Sequence, residues 1–148
     1  MTFSFDKVGV VPGDDVRPVR VDHPLSLAYI GDAVWELYVR YHLLACGIVK
    51  PGDLQKESIR FVSAKAQAEA LKRLMPELTE KERDIVRRGR NAKSKTTPKH
   101  AGVHEYRHST AVEALVGYLY LTDQVKRLSQ IMEQVIDTVE KERKRTDE

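Results

Sequence analysis

The chain has 148 residues, 41% hydrophobic and 32% charged, a balance that supports one compact domain with a real core and excludes a disordered or fibrous chain. With 25 Lys and Arg against 22 Asp and Glu the net charge is only +3, so any argument about partners rests on where the charge lies. A single cysteine, Cys46, excludes a disulfide framework and a cysteine-cluster zinc site. In its apolar stretch from Tyr41 to Ile48 it reads as an inert core or half-buried thiol. No basic-then-apolar start is present, and no apolar run approaches the ~20 residues that span a bilayer. The expectation is a soluble, cytoplasmic protein without a membrane partner.

Residues Met1 to Asp22 mix Gly, Pro, Asp and Val without helical periodicity and read as an extended arm before a single domain over 23–148. Leu25 to Ala45 is apolar on most of its circumference, as suits a helix buried mid-domain, and Gly47 and Pro51 end it. Asp53 is placed to cap a short helix through Arg60, and Ser63 to cap the next, Ala64 to Met75. Thr79-Glu80-Lys81-Glu82 fits a capping box for a helix that Gly89 closes. Asn91 to Gly102 is a loop by composition. A second apolar helix runs from His104 or Glu105 to about Leu121, and Asp123 caps a last, one-faced helix along Val125, Leu128, Met132, Val135 and Val139. No segment alternates as a strand does, so the predicted fold class is all-α, with six or seven helices.

The most informative residues are acids inside apolar helices. Glu113 is the only charge between Ala111 and Leu121, and Asp32 and Glu36 are the only charges from Leu25 to Val39. Buried ionised carboxylates cost several kcal/mol or more unless paired, hydrogen-bonded or bound to a metal. Two such helices packed together bring two acids into one site, where each raises the other's pKa unless a divalent cation lies between them. Mg²⁺ suits this, since it takes oxygen ligands, needs only one or two carboxylates and keeps several waters. The plainer alternative stays open. Asp32, Glu36 and Arg40 follow at spacing four and also fit a narrow solvated stripe with Glu36 paired to Arg40, while Glu113 could pair with Arg107 or a histidine.

From Ile85 to His104 there is no acid. Arg88, Arg90, Asn91, Lys93, Lys95, Thr97 and Lys99 make this a strip of groups that donate to phosphates and 2′-hydroxyls, with Lys65 a further candidate. The strip has no aromatics from Arg87 to Lys99, which argues against base stacking. His100, His104 and His108 stand four apart, but Gly102 interrupts any shared helix, so caps, surface roles or phosphate contacts fit better than zinc.

Leu27-Ala-Tyr-Ile-Gly-Asp-Ala-Val34 resembles the signature helix of the ribonuclease III family, and Ser109-Thr-Ala-Val-Glu-Ala-Leu-Val-Gly117 its second catalytic helix. With Val62-Ser-Ala-Lys-Ala-Gln-Ala68, Arg88-Gly-Arg-Asn-Ala-Lys-Ser94 and Thr97-Pro98, the resemblance is closer to the Mini-ribonuclease III group, a catalytic domain without a double-stranded-RNA-binding domain. It implies an all-α endoribonuclease acting as a homodimer on double-stranded RNA, with one Mg²⁺-dependent site per protomer. Asp32 and Glu113 take the places of the catalytic and metal-binding acids. The task implied is maturation of precursor 23S ribosomal RNA, which leaves room for an auxiliary ribosomal protein. Where the family's standard site carries two further acids, this chain has Ala28 and Thr110. A non-catalytic RNA-binding module and a helical adaptor, in which the acids only fix register, are the rival readings.

Overall fold

The computed structural model describes residues 19–92 and 102–147. Most of the arm and positions 93–101 of the basic loop therefore lie outside the described residues. The all-α expectation holds: among the described residues there are six α-helices, one 3₁₀ turn and no strand. No helix among them is long and apolar enough to cross a membrane.

Helix α1 (Pro24–Ala45) starts on a proline at its first position, with the His23 ring accepting from the Ser26 backbone N–H as its cap. Helix α2 (Pro51–Val62) begins three residues earlier than expected. Pro51 opens it, so Asp53 lies inside its first turn, where it favours the helix dipole, and does not cap it. Ser63 does cap α3 (Ala64–Leu74), and Pro76 then tightens the chain into a 3₁₀ turn over Met75–Glu77. Arg83 pins that turn by donating to the Met75 and Pro76 carbonyls. The capping box at Thr79 and Glu82 is present at the start of α4 (Glu80–Asn91). Gly89 does not close this helix. It lies within it, because a Cβ there would stand 2.9 Å from the Ala111 Cα, so glycine serves a close helix contact.

Helix α5 (Val103–Leu121) is central, packing against α1, α3, α4 and α6 (Val125–Asp147). Asp123 does not cap α6. It occupies the left-handed backbone region (φ 59°) in the turn, and the Gln124 carbonyl accepts the Leu128 N–H at the helix start. The inner face of α6 is Leu128, Ile131, Met132, Val135 and Val139, with Val125 only partly covered. Glu82 on α4 is buried and receives Arg127 of α6 through two bonds of 2.9 Å, while the same guanidinium donates to the Glu77 carbonyl. This pair holds Glu82 below the usual carboxylate range despite its burial. Cys46 is exposed, contrary to expectation. It follows the last buried turn of α1 at Leu43, and its sulfur lies 3.6 Å from His42 Nε2.

A paired-carboxylate candidate site at the crossing of two helices

Helices α1 and α5 touch backbone to backbone. A Cβ on Gly31 would lie 1.8 Å from the Glu113 carbonyl oxygen, and one on Gly117 would lie 1.9 Å from that of Leu27. Only glycine at both positions permits this approach. Asp32 follows Gly31 directly, and Glu113 stands one turn before Gly117. The crossing therefore sets Asp32 beside Glu113, and the two carboxyl groups interact directly.

Their surroundings differ. Asp32 is exposed, so only one of the two acids is held away from water, contrary to the expectation from helix composition. The solvated-stripe alternative is right for its neighbours: Glu36 is bonded to Arg40 at 3.3 Å. Glu113 is partly buried and, among the described residues, meets neither Arg107 nor a histidine. Burial first, and then the adjoining Asp32, pushes its carboxyl up to about 9. The Ser109 hydroxyl, 3.4 Å from Oε1, and the Gln67 side chain pull in the opposite direction.

Gln67 and Ser109 lie inside the resembling segments but carry no role in the sequence reading; the structure places both at this site. Ser109 stands one helical turn before Glu113, and Gln67 shares the inward stripe of α3 with Ala70, Leu71 and Leu74. That stripe was the available signal. The Ser109 hydroxyl donates to Gln67 Oε1, while Gln67 Nε2 is buried without a hydrogen-bond partner. An orphaned donor of this kind costs about 1–3 kcal/mol. Ala28 and Thr110 supply no ligand: Ala28 is buried, and the Thr110 hydroxyl is bonded to the Tyr106 carbonyl at 3.0 Å. Among the described residues no group of three potential ligands forms. The donor set is thus two carboxylates whose mutual repulsion a hard divalent cation relieves, which fits an ion that draws its other ligands from water and substrate.

The RNA-contact candidates divide. Lys65, Arg90 and Asn91 are exposed. Lys65 and Arg90 line a groove of about 450 Å³ together with His104 and His108, whose rings lie 4.1 Å apart. Arg88 is also exposed but is tied to Asp84 at 3.2 Å, an acid just outside the acid-free stretch. Lys93, Lys95, Thr97 and Lys99, with His100, lie outside the described residues.

Known proteins match this arrangement. The Ribonuclease III domain family matches residues 25–124. Mini-ribonuclease 3 of Brevibacillus brevis is 51% identical over 85% of this chain and 94% of its own length. Mini-ribonuclease 3 of Symbiobacterium thermophilum is 52% identical over 80% of this chain and 91% of its own. A crystal structure of a protein from Fusobacterium nucleatum superposes with a TM-score of 0.73 at 33% identity, covering 83% of this chain and 98% of that one. Motifs, helices and relatives agree that the chain belongs to the ribonuclease III family, within its Mini-ribonuclease 3 group of endoribonucleases.

Proposed function

We propose that this chain is a Mg²⁺-dependent endoribonuclease that cleaves double-stranded RNA as a homodimer, in the maturation of precursor 23S ribosomal RNA. The observation that carries the reading is the meeting of Asp32 and Glu113 across the Gly31–Gly117 crossing. These two carboxylates would hold the ion. A bound Mg²⁺ supplies charge stabilisation at the scissile phosphate and makes an attacking water easier to deprotonate. Asp32, open to solvent, is the acid that an incoming phosphodiester and its attacking water can reach. Glu113, backed by Ser109, is the anchored partner. In-line attack forms the new P–O bond while the bond to the 3′ oxygen breaks, leaving a 5′-phosphate and a 3′-hydroxyl. Lys65, Arg90 and Asn91, continued by Lys93, Lys95, Thr97 and Lys99, meet the phosphates and 2′-hydroxyls of the A-form duplex.

Dimerisation is supported by an apolar stripe on the outer side of α1. Tyr29 (85% exposed), Leu37 (40%) and Leu44 (56%) lie on one face with the exposed Ala33, a face that they share with the Glu36–Arg40 pair. A two-fold pair presents one site to each strand of a duplex.

The test is cleavage of a long perfect duplex by the purified chain with and without Mg²⁺. Cutting should require the ion, and Asp32→Asn should stay folded by circular dichroism while losing cleavage. Parental rates from Asp32→Asn overturn the assignment. The absence of acids at Ala28 and Thr110 favours a second reading, a duplex-binding module without catalysis, for which binding without cutting in Mg²⁺ is the signature. Cutting of the precursor 23S stem no faster than an unrelated duplex removes the ribosomal assignment.

A further inference from the structure

Gln67 is polar where its neighbours on α3 are apolar. It is only 2% exposed, on a stripe with Ala70, Leu71 and Leu74, where a leucine would satisfy packing without leaving a donor unpaired. Its carbonyl end points to one purpose. Oε1 accepts from the Ser109 hydroxyl, and that hydroxyl also lies 3.4 Å from Glu113 Oε1, so Gln67 reaches the carboxyl through Ser109. Glu113 is thus approached by Asp32 on α1 and by Ser109 on its own helix, with Gln67 on α3 holding Ser109 from behind.

We propose that Gln67 is a positioning residue for the cation site, forming with Ser109 a polar abutment on α3 and α5 that fixes the Glu113 carboxylate to share an ion with Asp32. The inference rests on the reading of Asp32 and Glu113 as the ion's ligands. An amide suits the task because it orients a carboxylate without adding a third negative charge to a pair that already repels. Its burial keeps it from touching RNA, so it acts only through Glu113.

Mn²⁺ binding by electron paramagnetic resonance, duplex kinetics, and thermal melting in EDTA test this on the full chain, Gln67→Leu, Ser109→Ala and Asp32→Asn. Gln67→Leu should bind Mn²⁺ about 10–100-fold more weakly, as is usual when a partner of a metal ligand is removed. Its kcat at fixed Mn²⁺ should fall in step, with KM for RNA unchanged and melting in EDTA no lower than the parent. Parental Mn²⁺ affinity and kcat in Gln67→Leu overturn the proposal, and so does a rise in KM alone. Should Gln67→Leu not fold, Ser109→Ala carries the same test, and unchanged Mn²⁺ affinity there is equally fatal. Asp32→Asn separates the two levels. If it binds Mn²⁺ and cuts like the parent, the ligand assignment itself fails. If it is silent while the Gln67 and Ser109 variants are normal, only the present proposal fails.

Discussion

At neutral pH and without a cation, Glu113 keeps a proton that the unfolded chain has released, since its carboxyl sits near 9 against an ordinary 4.5. The folded state then binds more protons than the unfolded one. This group's stabilising contribution is full below about 4.5 and is lost as pH rises through about 9. Glu82, held low by Arg127, has the opposite effect and gives up its contribution in acid. Melting in EDTA should therefore show stability falling between pH 5 and pH 9, and Glu113→Gln should flatten that slope and melt higher than the parent at pH 8 while losing cleavage. Saturating Mg²⁺ should reverse the parental slope; a parental profile in Glu113→Gln contradicts the pairing. Both acids were legible in the sequence because a charge in an apolar helix stands out. Which of them is exposed was not, because spacing four serves a solvated stripe as well as a buried one. Gln67 and Ser109 stood inside the resembling segments without a role, because a neutral polar group raises no alarm of the kind a buried charge does.

The helix crossing carries the geometry of the site. Gly31→Ala drives a Cβ onto a main-chain oxygen, which no rotamer change relieves. A loss on the order of 3 kcal/mol or more is expected, at the upper end of overpacking effects, with cleavage falling further than stability because the carboxylates part. Gly52→Ala is the control. Nothing lies within 4 Å of a Cβ there, so it should leave melting unchanged or raised by up to about 1 kcal/mol in stability. Equal melting for the two variants refutes the crossing's role. Most helices were legible from apolar spacing and from the Ser63 and Thr79 caps. The errors at Asp53, Gly89 and Asp123 share one cause: local signals name residues that favour an end, while packing decides where the end falls. Gly89 is the clearest case, a residue that usually stops helices retained inside one so that α4 can approach Ala111.

For the molecule as a whole, the outer stripe of α1 is where the proposed dimer can be tested. Tyr29→Asp should shift the chain from dimer to monomer in analytical ultracentrifugation while preserving the helical spectrum, and cleavage of long duplexes should fall at least about 10-fold as the second site is lost. A variant that remains dimeric moves the interface elsewhere. The sequence disclosed the family and the acids, but this surface was hidden in it, because an apolar helix read along the chain looks the same whether its last open side meets its own core or a second copy. The glycine contact between α1 and α5 has one more implication. Since peptide rests on peptide there, the distance separating the acids is ruled by atoms common to every amino acid. Drift among the surrounding hydrophobic residues can reshape the interior without recalibrating it.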